Sequence, residues 1–212
     1  MKYQAVFWDF DGVILDSVNV KTQAFGQMFA HFGPEVERAV VEYHLAHEGV
    51  SRYEKFRYFY TEILNSSITA EQLKVLGETF SNLTLERILA APFIPGSLET
   101  LNLLRESRVP CYIVSGTPQD EIQYIVKARK LTHFFKEVHG SPRKKHEIVD
   151  DILERYEYRE KECLFVGDAM ADYVAAQKTK IPFLGILQRN RNSPFPSHTL
   201  TSSKVEIPAA LF

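Results

Sequence analysis

Short unbroken apolar runs recur along the chain, and most of them stop at polar or small residues. The first, Ala5 to Phe10 (AVFWDF), lacks the polar alternation of a half-exposed strand and predicts a strand buried on both faces. CYIV (Cys111 to Val114) stops at Ser115-Gly116-Thr117, and CLFV (Cys163 to Val166) stops at Gly167-Asp168. A weaker run, Ile181 to Leu187, supplies a fourth. Apolar residues at helical spacing lie between the later runs. Leu98, Leu101, Leu103 and Leu104 precede the second run, Ile122, Ile125 and Val126 follow it, and Ile148, Val149, Ile152 and Leu153 precede the third. Strands alternating with helices predict an α/β fold in three layers, a parallel sheet with helices on both faces.

Residues 17–91 read differently. They contain no clear strand, and Thr22 to Phe32 and Tyr53 to Leu64 are helical candidates. Thr69 with Gln72 has the spacing of a capping box that opens a further helix. A proline-rich segment, Ala91-Pro92-Phe93-Ile94-Pro95-Gly96, then returns the chain to alternation. The expected organisation is a core of residues 1–16 and 92–212 with a helical insert at 17–91. The tail from Gln188 onward, rich in Ser, Asn and Pro, is expected to loop over the surface.

Composition narrows the function classes. With 45% hydrophobic and 25% charged residues the chain has the make-up of an ordered globular protein. Its net charge of -2 leaves no broad basic field for nucleic acid or an anionic membrane. No apolar run reaches the roughly 18 residues of a membrane span, and acids interrupt the N-terminal stretch where a signal peptide needs continuity. A cytoplasmic location is therefore expected. Cys111 and Cys163 sit inside apolar runs and read as buried thiols, without zinc spacing. Nothing in the sequence sets an oligomeric state.

The chemistry gathers where the predicted strands end, the place where open parallel sheets bind ligands. Asp9-Phe10-Asp11-Gly12 closes the first strand, Ser115-Gly116-Thr117 the second, and Gly167-Asp168-Ala169-Met170-Ala171-Asp172 the third. Lys144 and Lys145 lie between the last two. Carboxylates suit magnesium, which also binds phosphate, and Asp9 with Asp168 could hold such a cation. A carboxylate can attack phosphorus, while a hydroxyl, backbone N–H groups and a lysine offset the charge on the phosphoryl oxygens. Asp11, two residues on, suits proton transfer to the leaving oxygen and from the attacking water.

These segments resemble the four motifs of the haloacid dehalogenase superfamily, in order and across about four-fifths of the chain. The resemblance implies a Rossmann-like core with a helical cap inserted after the first motif. It implies Asp9 as nucleophile and Asp11 as general acid and base. Magnesium would be held by Asp9, the backbone carbonyl of Asp11 and Asp168, and the phosphate by Ser115, Gly116, Thr117 and a lysine, Lys145 favoured over Lys144 because Ile148 and Val149 follow it at the spacing seen after the family's third-motif lysine. Asp172 would sit near the metal or orient the lysine. Dehalogenases of the superfamily lack the second acid of the first motif, so Asp11 points to phosphate chemistry. The expected activity is hydrolysis of a small phosphorylated metabolite, in the manner of phosphoglycolate phosphatases.

Gly49-Val50-Ser51-Arg52 resembles a cap loop of beta-phosphoglucomutases, in which the arginine helps bind a sugar phosphate. Arg52, with Lys55 one helical turn on and His47 nearby, is therefore expected to read the far end of the substrate. Those mutases carry a histidine ten residues after the second acid of the first motif; here that position is Lys21, read as a solvated helix lysine. Transfer to water is thus favoured over a mutase, and an idle binding module is the third reading. The remaining histidines, His44 among them, show no ligand spacing. Tyr53, Phe56, Phe59 and Tyr60 read as packing residues.

Overall fold

A computed structural model describes residues 3–187 and 192–207. Six strands form one sheet: β1 (Ala5–Trp8), β2 (Cys111–Pro118), β3 (Phe135–Ser141), β4 (Cys163–Gly167), β5 (Phe183–Ile186) and β6 (Thr201–Ser202). Their order is β3-β2-β1-β4-β5-β6 and every pairing is parallel. The chain winds outward from β1 to β3 and resumes on the other side of β1 at β4, so a crevice opens beyond the ends of β1 and β4.

Among the described residues eight α-helices accompany the sheet. They are α1 (Val18–Phe29), α2 (Pro34–Ala46), α3 (Arg52–Tyr58), α4 (Ala70–Ala90), α5 (Ser97–Glu106), α6 (Gln119–Ala128), α7 (Lys145–Arg155) and α8 (Met170–Lys178). Alternating strand residues divide the core into two layers. Val6, Trp8, Ile113, Leu164 and Val166 pack with Leu101 and Leu104 of α5 and Ile122 and Ile125 of α6. Ala5, Phe7, Tyr112, Val114 and Phe165 pack on the opposite face with Ile148 and Ile152 of α7 and Ala175 and Ala176 of α8. Because both faces are covered, the strands need apolar residues at every position. This is the three-layer arrangement expected from the alternation.

Helices α1 to α4 make a separate apolar cluster of Phe25, Phe29, Val40, Phe56, Phe59, Leu73 and Phe80. The aromatic series read as packing is largely that, with Phe56 and Phe59 fully buried. The helix starts are local. Pro34 opens α2. Thr69 Oγ1 accepts from Gln72 N–H at 3.2 Å while Thr69 N–H donates to Gln72 Oε1 at 2.8 Å, closing the expected capping box of α4. The predicted Tyr53–Leu64 helix divides into α3 and a wider π-type turn, Phe59–Ile63.

Three expectations need correction. The strand β3 was invisible to the pattern because it lies at the sheet edge, where Lys136, Glu137 and His139 face solvent at least partly. β2 does not stop at Val114; it runs on through Ser115-Gly116-Thr117 to Pro118, with a register irregularity against β3 after Val114. The tail is not all surface loop. Thr201–Ser202 pairs with β5, and Phe195, Val205 and Ile207 are buried. Residues 188–191 and 208–212 of that tail lie outside the described residues. No helix among the described residues is long and apolar enough to cross a membrane. Both cysteines are free and buried, and burial pushes each thiol up to about 12.

Candidate active site

Strand ends and one tight turn bring the acids together. Asp9 follows β1 directly, and its N–H donates to Val166 O of β4 at 2.9 Å. Asp168 follows β4, and Asp172 lies in the first turn of α8. One carboxylate oxygen from each of Asp9, Asp168 and Asp172 falls within 4.8 Å of the others. All three residues are buried, at 2%, 5% and 0% exposure. After Asp9 the chain reverses at Gly12, whose φ of 79° suits glycine. Gly12 N–H then donates to Leu15 O at 2.7 Å. The turn folds Asp11 back beneath α1, where Ser17 donates to Asp11 Oδ1 at 2.6 Å.

Lys145 stands among the carboxylates. Its Nζ lies 2.6 Å from Asp172 Oδ1 and 2.9 Å from Asp9 Oδ1. Asp172 Oδ2 accepts from Ala169 N–H at 3.1 Å, which fixes the carboxylate that in turn fixes the lysine. Of the two candidate lysines, the structure brings Lys145 to the acids. Lys144 is exposed, its N–H donating to Glu147. Burial lowers the Lys145 ammonium, but Asp172 and Asp9 outweigh it and hold the group above its ordinary value.

The acids divide into two electrostatic classes. Burial, and then repulsion by Asp172, pushes Asp9 up to about 7 against the pull of Lys145. Burial, Asp9 and Asp172 likewise raise Asp168 well above the usual carboxylate range. Asp11 goes the other way: burial raises it, but Lys21, Ser17 and Thr117 together hold it low.

The donor set fits a hard divalent cation. Among the described residues three carboxylates gather beside the Lys145 ammonium in a buried place, and all of them offer oxygens, as magnesium prefers. Asp9 Oδ1 meets Lys145 as an ion pair without a well-directed hydrogen bond, so it retains capacity for a further positive partner. The Asp11 side chain is outside this group and engaged elsewhere, so the backbone carbonyl remains the part of Asp11 named for the metal.

A cavity adjoins these groups, lined by Asp9, Asp11, Asp168, Gly116 and Thr117 from the strand ends and by Lys21, His44, Arg52 and Lys55 from the helices. Gly116 is needed for that juxtaposition: a Cβ there would lie 2.6 Å from Gly49 O, in the loop before α3. Ser115 is buried, its Oγ accepting from Thr117 N–H at 3.1 Å, and it lines a neighbouring cleft with Gly116 and Lys145. Arg52 lines the cavity, yet its guanidinium is engaged by Glu121 of α6, with Nη1 3.0 Å from Oε2, and by Ser81 of α4 at 2.8 Å.

Two expectations about side chains fail. Lys21 is not a solvated helix lysine. Its Nζ pairs with Asp11 and donates to Thr117 Oγ1 at 2.9 Å, and only 15% of the side chain is exposed. The turn at Gly12 folds the first turn of α1 over the strand ends, and no local pattern signals that. His47 is exposed, with Nδ1 2.9 Å from Tyr43 O. One turn earlier, His44 faces the cavity instead. The sequence carried no signal for it beyond its position on the inner face of α2.

A model of haloacid dehalogenase-like hydrolases matches residues 6–186. The chain belongs to that family. Among curated proteins this haloacid dehalogenase-like hydrolase is similar to a 2-hydroxy-3-keto-5-methylthiopentenyl-1-phosphate phosphatase of Microcystis aeruginosa. The two are 24% identical over 192 residues, covering 84% of this chain and 82% of that protein. Among solved structures it resembles a beta-phosphoglucomutase from Clostridium difficile, with a TM-score of 0.76 and 18% identity over 95% of this chain and 91% of that one. It also resembles a protein described as a predicted phosphoglycolate phosphatase from Haemophilus somnus, with a TM-score of 0.70 and 19% identity over 92% and 90%. At these identities the solved structures speak for the fold of this haloacid dehalogenase-like chain, an α/β sheet with helices on both faces.

Proposed function

We propose that the chain is a magnesium-dependent phosphomonoesterase acting on a small soluble phosphate ester in the cytoplasm, with Asp9 as nucleophile. The observation that carries this reading is the convergence of Asp9, Asp168 and Asp172 within 4.8 Å of one another, with the Lys145 ammonium on Asp9 and Asp172, beside a cavity.

Asp9 is the nucleophile because its carboxylate borders the cavity at the end of the central strand. A carboxylate oxygen of Asp9 forms a bond to phosphorus as the ester P–O bond breaks, and the departing oxygen takes a proton from Asp11. Water then attacks the phosphorus of the aspartyl-phosphate, Asp11 takes the proton back, and phosphate leaves with Asp9 regenerated. Asp11 enters the first step protonated and leaves it ionised, and Lys21 favours the ionised form that then takes the proton from water. Ser115, Gly116, Thr117 and Lys145 are assigned to the phosphoryl oxygens. Asp9, Asp168, the carbonyl of Asp11 and, through its place in the same cluster, Asp172 are assigned to magnesium. When bound, magnesium offsets charge on the phosphoryl oxygens and on the acids themselves. Helices α1 to α4, from the insert at 17–91, act as a cap that closes over the strand ends and keeps bulk water from the phosphoryl group. Arg52 is assigned to the cap side of the pocket. Transfer to a second sugar oxygen is less well supported, since Lys21 rather than an imidazole stands over Asp11.

Purified protein with magnesium should hydrolyse p-nitrophenyl phosphate, and Asp9→Asn should abolish turnover. Full activity in Asp9→Asn would overturn the assignment of the nucleophile.

A further inference from the structure

Among the described residues Lys55 is a buried lysine with no carboxylate at ion-pair distance from its Nζ, although Glu48 and Asp11 act on it from farther off. The residue is 2% exposed, and no Asp or Glu among the described residues stands in an ion pair with it. Its Nζ lies 2.8 Å from His44 Nδ1. His44 Nε2 lies 3.2 Å from Thr22 Oγ1, and Thr22 donates in turn to Val18 O at 3.0 Å. A charged Lys55 donates to Nδ1, and Thr22 meets the ring's other nitrogen, so the imidazole is held from both sides. An ammonium has three donors, and the imidazole takes one of them. The Nζ also sits 5.5 Å from the centre of the Phe25 ring, and Lys55 and His44 both line the cavity that holds Asp9 and Asp11.

Burying such a charge is costly unless an anion meets it. Burial, and then the ammonium of Lys21, drive Lys55 down to about 7 against the pull of Glu48. The other cations that line the cavity from the helices are already paired, Arg52 with Glu121 and Lys21 with Asp11. We propose that Lys55, oriented by His44, receives a second negatively charged group of the substrate, so that the preferred esters carry a carboxylate or a second phosphate a few bonds from the phosphoryl group bound at Asp9. This rests on the phosphatase reading for the position of the phosphoryl group. It makes Lys55 a specificity residue and His44 the residue that positions it.

Binding and turnover are measured separately, so the two readings fail separately. Calorimetric titration with magnesium present compares three esters of one size class: phosphoglycolate, the neutral 2-hydroxyethyl phosphate, and ethylene glycol bisphosphate. Asp9→Asn protein is used so that none is consumed. The doubly anionic esters should bind at least about tenfold more tightly than the neutral one, the scale of a charge-assisted hydrogen bond. In a second protein that adds Lys55→Met the ratio should fall to about one, and Lys55→Arg should restore part of it. The tighter of the two doubly anionic esters identifies the group as carboxylate or phosphate. Equal binding of all three to the Lys55-containing protein overturns the proposal without any variant at Lys55, and so does an unchanged ratio in folded Lys55→Met. A preference for the anionic esters in binding, with no turnover of any ester by the wild-type protein, would instead sink the phosphatase reading alone.

Discussion

The Lys145 ammonium lies 2.6 Å from the carboxylate of Asp172, 27 residues further along the chain and at the start of a different helix. The same ammonium reaches Asp9 at 2.9 Å, so one lysine joins the end of β1 to the starts of α7 and α8. Removing one member of a buried ion group leaves the others without compensation, at a cost of about 3–5 kcal/mol. Lys145→Met should lose stability on that scale in urea unfolding at pH 8. The loss should shrink toward pH 5, where the remaining acids can take up protons. A variant as stable as the parent at pH 8 would mean that the pair contributes nothing net.

Three carboxylates this close favour a bound divalent cation, and a ligand that binds only the folded state stabilises it. Magnesium at about a hundred times its dissociation constant should raise the melting temperature by about 5–10 °C. Asp168→Asn should lose most of that shift. Thermal melts with magnesium and with a chelator check this, and an equal shift in Asp168→Asn would exclude Asp168 as a ligand.

Lys21 holds Asp11 low, and the prediction for its removal follows from the sign. Lys21→Met leaves burial to dominate, so Asp11 moves upward. The basic limb of the kcat/KM profile against pH, set by the step in which Asp11 donates, should move upward with it, and the acidic limb of kcat, set by the step in which Asp11 takes the proton from water, should rise as well. An unmoved limb would separate Lys21 from the proton chemistry.

Away from the site, Glu137 accepts from Arg155 Nη2 at 2.7 Å and from the Tyr156 hydroxyl at 2.6 Å. The hydrogen bond from Arg155 leads in holding the carboxylate down to about 2, from an ordinary value near 4.5. A group lowered on folding binds fewer protons in the native state, so its stabilisation is present above pH 4.5 and is lost as the pH falls toward 2. Glu137→Gln should therefore be less stable than the parent at pH 6, with the gap narrowing below pH 4. The groups are partly exposed, and high salt should reduce the gap. Acid titration of the urea midpoint, with and without 1 M salt, tests both statements.

Much of the site was legible from the chain because strand-end chemistry is local. An unbroken apolar run marks a strand covered on both faces, and the residue after it must lie at that strand's carboxyl end, so Asp9 and Asp168 could be placed from the sequence. The Thr69–Gln72 box likewise depends on residues three apart. What tertiary structure alone decided was every relation between segments. Lys21 turned inward because the reversal at Gly12 folds α1 onto the strand ends. His44 rather than His47 faces the cavity because the packing of Phe25, Val40 and Phe56 sets the rotation of α2, and periodicity assigns a face without naming what it meets. Arg52 found Glu121, 69 residues away, and Lys55 was left with an imidazole for a partner. A charge's environment is a sum over neighbours in space, and most of those neighbours are distant along the chain.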